Sequence, residues 1–432
     1  MPRLFPLKGL TRGEARPRWR GPAALFTSMA ALAATSLAMG PANAVPHSTS
    51  CALKRTDAHH SEGLDTWNSA YPRPGRRVDA VMVFLSFPDS TPQTTPTELA
   101  ADHFPATSRF FERASYGKFT LRPHPLREWL PMPHASTAYA IQRDWNSARR
   151  SAYLHDALAV SDPRVDFSRY DVVYFVADPH APGVDSDATK VVNLEAPLRA
   201  DGTDIRRVVT VFEQHPPDRL VLAHETGHVF DLPDLYHRPT DDRDDWDTYV
   251  GDWDLMGSQF GLAPDLFGWH KWKLGWLEPR QVACVQGVGD GGTRLTLEPL
   301  GAGSAVAGTA GGAAGAESFG LGGGTKLAVV RTGRDSVIAF EARGPVGNDG
   351  EVCTQGVLVY RVRNEAVSGD GPIEVLDAHP DTAACRDKSV YPPLADAPVG
   401  LGESFTVPGE DVRVEVEDRR ASGAWTVTVS AG

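Results

Sequence analysis

Residues 222–236 read LAHETGHVFDLPDLY. Two histidines stand four apart, a glutamate follows the first, and an aspartate lies further on, all inside an apolar run. Burying such groups without partners costs roughly 2–7 kcal/mol each, so they must hold a metal, hold one another or face water. Pro216 and Pro217 precede the run and Asp218 is a candidate cap, which predicts a helix starting near Asp218 and carrying Leu220 to Phe230. On a helix, positions i and i+4 share a face with Cβ atoms about 6 Å apart. His224-Glu225-Thr226-Gly227-His228 is H-E-x-x-H, so both imidazoles can reach one zinc ion while Glu225 sits beside the metal-bound water. That is an arrangement for metal-assisted hydrolysis of an amide. The alternative is a pair of helical histidines hydrogen-bonded to their neighbours.

A zinc site that keeps a position for water needs a third protein ligand. Asp234 lies ten residues after His224, and Pro233 prevents the helix from continuing to it. A chain that turns back after Phe230 would bring Asp234 to the metal; Asp231 and His237 are competing ligands.

Upstream, VDAVMVFLSF, DVVYFVAD (171–178) and RRVVTVFEQ (206–214) read as strands, and TELAADHFPATSRFFERASYGKF has helical apolar spacing with Pro105 as its break. Strands alternating with helices predict an α/β unit over 76–283. Within it, DLFGWHKWKLGW places Leu266, Trp269, Trp272 and Trp276 on one helical face, which reads as core, with His270 as a structural histidine. Residues 284–432 differ in character. The stretch 301–324 is a Gly/Ala-rich loop or linker. SVIAFEAR, GVLVYRVRN, DVRVEVED and AWTVTVS then read as strands, the last two with the strict alternation of an antiparallel sheet. A β-rich, sandwich-like C-terminal domain is expected there.

The N-terminal 44 residues look like an export signal: a basic region ending at Arg20, a small apolar run, and Ala42-Asn43-Ala44 as a cleavage site. A retained anchor is the alternative. Residues 45–75 read as an extended leader or short propeptide, whose His59-His60 pair is read as surface-exposed or weakly metal-binding. The chain carries net charge −12; the signal's net +5, taken from it, leaves −17. Such acidity argues against nucleic acid and anionic membrane as partners and favours solubility. Ten tryptophans and seventeen phenylalanines among 432 residues supply a large core. Cys51, Cys284, Cys353 and Cys385 allow three pairings; Cys353–Cys385 with Cys51–Cys284 is preferred because the first closes within one apparent domain.

Beyond the HExxH motif, the string HETGHVFDLPDLY, then WDLMG, then WHKWKLGWL resembles the immune inhibitor A family of secreted bacterial metalloproteases, and VMVFLSFPD and ASYGKF match that family's opening strand and following segment. The resemblance covers roughly Val78 to Leu277. It implies a metzincin-like zinc protease domain in which His224, His228 and Asp234 hold zinc, Glu225 is the general base, and Met256 lies in a tight turn beneath the metal. It also implies protein or peptide substrates. No segment after the signal is apolar enough to span a bilayer, so no stable membrane insertion is expected after its cleavage, and the chain is expected to act as a monomer. One departure is Asp231, which stands where metzincins usually have Gly. Asn and Asp tolerate positive φ better than other non-glycine residues, so the turn is expected at about 1 kcal/mol of strain.

Two further expectations concern cations and processing. The loop between Asp234 and Met256 holds Asp241, Asp242, Asp244, Asp245 and Asp247, which offer oxygen ligands to a structural Ca²⁺; a solvated acidic loop is the alternative. Cys51 could cap zinc as a leader thiolate, but an even cysteine count favours a disulfide. The leading function is a secreted zinc endopeptidase, against a non-catalytic binding protein on a protease-like scaffold or a narrow-substrate hydrolase.

Overall fold

The computed structural model describes residues 51–218, 220–239, 245–286, 292–303 and 323–431. The export signal, Asp241, Asp242, Asp244 and most of the 301–324 stretch lie outside them.

The N-terminal half is α/β. Its strands are β1 (Arg77–Ser86), β2 (Thr120–Pro131), β3 (Val172–Ala177), β4 (Lys190–Ala200) and β5 (Thr203–Val211), in the order β2-β1-β3-β5-β4. The first four neighbours run parallel and β4 is an antiparallel edge. β3 is buried along its whole length, as an apolar run without alternation demands. Asp201 and Gly202 join β4 to β5, both with positive φ, the Asp-Gly chemistry of a tight hairpin.

Helices α1 (Pro96–His103) and α2 (Ala106–Ala114) are separated at Pro105, and Thr95 and Glu98 form a capping box ahead of the first. Two more follow, α3 (Ser136–Tyr139) and α4 (Ser147–Ser161), before α5 (Val221–Val229), the helix of the HExxH motif. The expected cap at Asp218 is not formed. Leu220 precedes α5 in a left-handed conformation, φ 59°, with no side-chain cap. That reversal sets α5 with every residue buried. The last α-helix, α6 (Gly268–Lys273), is shorter than the expected span at both ends: Phe267, φ −50° and ψ 149°, precedes it outside the helical region, and Gly275, φ 79°, closes it. Leu266, Trp269, Trp272 and Trp276 are all core residues.

The C-terminal part forms two sheets. Strands β6 (Val282–Val285), β8 (Leu327–Arg331), β9 (Ser336–Arg343), β10 (Gly356–Arg363) and β11 (Ile373–Val375) make one; β7 (Thr293–Leu297), β12 (Ser404–Thr406), β13 (Val412–Arg419) and β14 (Trp425–Ala431) make the other. Ile338, Phe340, Val357 and Val359 of the first pack with Val414, Val416, Val427 and Val429 of the second. The opposite face of the first sheet, through Val337, Ala339, Leu358 and Tyr360, joins one apolar cluster with Trp269, Trp272, Trp276 and Met256. Both faces of β9 and β10 are therefore covered. The pairing is antiparallel except for β6 with β8, which is parallel. Arg343 on β9, fully buried, crosses the junction: it bonds Asp349 at 2.8 Å, Glu341 at 3.0 Å and the carbonyls of Trp253 and Ala263 at 2.9 Å.

Residues 51–75, expected as an extended leader, are instead built into this junction. Leu53, His60, Ser61, Glu62 and Leu64 are buried. Cys51 is disulfide-bonded to Cys284 and Cys353 to Cys385, the preferred pairing. The cause is electrostatic as much as apolar. Glu62 lies 2.9 Å from His270 Nε2 and 3.7 Å from Lys273, so a buried carboxylate from the strap answers two buried bases on α6. No helix among the described residues is long and apolar enough to cross a membrane.

Candidate metal centre

α5 brings His224 and His228 onto one face with ring centroids 4.9 Å apart. The chain then reverses at Asp231, φ 66°, the left-handed turn that the sequence requires there. Lys273 Nζ steadies this turn by donating to the Asp231 carbonyl at 2.7 Å. The reversal returns Asp234 to the histidines: its Oδ1 lies 3.0 Å from His228 Nε2 and 3.4 Å from His224 Nε2. One ligand atom from each of the three lies within 4.8 Å of the others, and all three residues are buried.

The orientation of each ring has a visible cause. His224 donates its Nδ1–H to the carbonyl of Leu255 at 2.9 Å, and His228 donates its own to the carbonyl of Leu232 at 2.8 Å. These bonds fix each ring and direct Nε2 toward Asp234, the outer-shell arrangement of metal-binding histidine. Despite the short distances, Asp234 Oδ1 has no hydrogen-bond partner. Two imidazole nitrogens and a buried carboxylate oxygen thus converge within ion-pair distance without a well-aligned hydrogen bond, and a divalent cation could engage all three. The group could hold a metal ion, and its N₂O donor set suits zinc among others.

The electrostatics agree. Burial opposes charge on His228, yet the Asp234 carboxylate overrides it and lifts that imidazole to about 9. Burial likewise opposes charge on Asp234, but His228 and His224 hold its carboxyl well below the usual range. The site is thus built around a negative oxygen that attracts a cation, and metal binding would release the competing proton.

Glu225, next to the first histidine, is 9% exposed and accepts a bond from the Val191 amide of edge strand β4 at 2.7 Å. Met256 is fully buried below α5. A Cβ on Gly227 would meet its Sδ at 2.5 Å, so Gly227 tolerates the helix-interior penalty of about 1 kcal/mol because no larger residue fits over Met256. The neighbouring Leu255 carbonyl is the one that orients His224, and Met256 O accepts the amide of Leu235 at 2.9 Å. One short segment therefore orients a ligand and fills the floor.

The competing ligands lie elsewhere. Asp231 turns away, bonding Arg55 at 2.8 Å and His60 at 2.9 Å. His60, expected at the surface, is buried, and burial pushes its imidazole down to about 3. His237 packs edge-on against Tyr249. Asp245 accepts the amide of Asp247 at 3.3 Å within a turn. The other three aspartates of that loop lie outside the described residues. Among the described residues the His224, His228 and Asp234 group is the one convergent set of metal-ligand side chains.

Sequence reading missed Arg238, whose Nη2 donates to Asp234 Oδ2 at 2.6 Å, and Ser368, whose hydroxyl bonds the same oxygen at 3.0 Å. Arg238, four residues past Asp234, was open to suspicion; nothing local marks Ser368. Comparison with protein-family models found no match, nor did comparison with curated proteins.

Proposed function

We propose that this chain is a secreted zinc-dependent endopeptidase of metzincin-like design, as its motif resemblance to the immune inhibitor A metalloproteases implies. The observation that carries the reading is the convergence of the two carbonyl-tethered imidazoles on Asp234 Oδ1, which accepts no hydrogen bond, beside a glutamate bonded to the edge strand of a sheet. The two disulfides support an oxidising, extracellular setting.

His224, His228 and Asp234 would hold the metal. When bound, zinc supplies a Lewis acid that lowers the pKa of a water to about 7 and polarises the scissile carbonyl. Glu225 does the proton work. Its Oε2 is fixed by the Val191 amide, leaving Oε1 to accept the water's proton and return it to the leaving amine. β4 is an edge strand, so an extended peptide can align beside Glu225 by adding to that edge.

The test is casein cleavage by purified wild type, Glu225→Gln and a zinc-chelated sample. Glu225→Gln is expected to retain metal and lose about 10²–10⁴-fold in turnover, and the chelated sample to recover with added zinc. A Gln variant cleaving at the wild-type rate would remove Glu225 from the mechanism.

A further inference from the structure

The hairpin between β10 and β11 belongs to the C-terminal β part, yet its tip reaches the third ligand of the candidate metal centre. Ser368 Oγ accepts the Asp234 amide at 2.8 Å and donates to Asp234 Oδ2 at 3.0 Å. Gly369 N–H donates to the Asp234 carbonyl at 3.0 Å, and its own carbonyl accepts the Arg238 amide at 3.3 Å. The close approach is specific: Gly369 has φ +85°, and a Cβ there would meet Arg238 Cδ at 3.0 Å. A second tie, from the Val375 amide to the Tyr249 carbonyl at 2.8 Å, holds the base of the hairpin to the segment leading to Met256.

The two carboxylate oxygens of Asp234 consequently have different roles. Oδ2 takes two donors, Ser368 Oγ and Arg238 Nη2. Oδ1 takes none and faces both histidines. A carboxylate with one oxygen engaged by donors presents the other as a single ligand atom, and its rotation is blocked. We propose that Ser368 is a positioning residue of the metal centre: the C-terminal hairpin clamps Asp234 so that it binds the metal through Oδ1 alone. This inference rests on the metal reading above and extends it from the motif helix to the β part of the chain. Ser368 is not one of the candidate ligands; it acts through its bonds to Asp234.

Three proteins decide it: full-length wild type, Ser368→Ala and Ser368→Thr. Each is stripped of metal, titrated with Zn²⁺ against a competing chelator, and loaded with Co²⁺ for its visible spectrum. Ser368→Ala is expected to bind Zn²⁺ about 10–100-fold more weakly and to shift the Co²⁺ bands as Asp234 rotates, whereas Ser368→Thr keeps the hydroxyl and restores both. Thermal unfolding of the metal-free proteins separates positioning from folding, since the affinity loss must exceed any change there. Equal Zn²⁺ affinity and identical Co²⁺ spectra in wild type and Ser368→Ala would overturn the positioning role and leave the metal reading standing. Wild type that binds neither ion would overturn both.

Discussion

Two sites in this molecule bury histidine deeply, and they differ in what the second ring nitrogen does. At His270 both nitrogens face carboxylates: Nε2 is 2.9 Å from Glu62 and Nδ1 is 3.2 Å from Asp254. At His224 and His228 one nitrogen is tied to a backbone carbonyl and the other aims at a shared, unpartnered oxygen. Burial alone therefore does not distinguish a structural histidine from a ligand. At the first, closed site each ring nitrogen has its own carboxylate, although Glu62 Oε2, like Asp234 Oδ1, makes no hydrogen bond and lies 3.7 Å from Lys273 Nζ; at the second, open site two ring nitrogens share one carboxylate oxygen, a group that could hold a metal ion. The closed one staples three parts of the chain, since Glu62 comes from the N-terminal strap, Asp254 from the segment before Met256 and His270 from α6. The open one is positioned by that same scaffold.

The largest expected effect lies at the closed site. His270→Ala leaves Glu62 and Asp254 buried with one partner fewer, and breaking such a buried pair costs about 3–5 kcal/mol; urea unfolding of the metal-free variant should show it. The same histidine sets a pH dependence. Burial opposes its charge, but Glu62 and Asp254 raise its pKa from 6.5 to about 9 in the folded protein. The stabilisation it contributes is thus complete below pH 6.5 and is lost as pH rises through about 9. A wild-type stability that stays flat from pH 6.5 to 9.5 would contradict a charged His270.

A smaller effect is expected beneath the open site. Gly227→Ala drives a methyl into Met256 Sδ, and overpacking of this kind costs about 1–3 kcal/mol. The penalty should shrink in a Met256→Ala background, where space opens. Equal penalties in both backgrounds, read from thermal unfolding, would detach Gly227 from Met256.

The open site was largely legible in the sequence, because its chemistry is local. H-E-x-x-H fixes the face of α5, and an aspartate three residues after the second histidine, where the chain must reverse, announced a positive φ that Asp231 adopts. The apolar runs Val337–Phe340 of β9 and Val357–Tyr360 of β10 also carried a signal, since an apolar run without alternation is buried on both faces, although both strands end in charged residues. The closed site was not legible. HHSEG is polar and reads as a loop until Glu62 finds His270, 208 positions away. The same applies to Ser368, 134 positions from Asp234. Pairs of that separation leave no periodic trace. The start of α5 escaped as well, because Leu220 enters the left-handed region without any cap chemistry to mark it.

The most direct test of the contrast between the two sites is elemental analysis of purified protein by plasma mass spectrometry, after dialysis against zinc and removal of the excess. Wild type should carry one zinc per chain, and His228→Gln, folded by circular dichroism, should carry none. Zinc retained by His228→Gln at the wild-type ratio, or no zinc in folded wild type, would contradict the account.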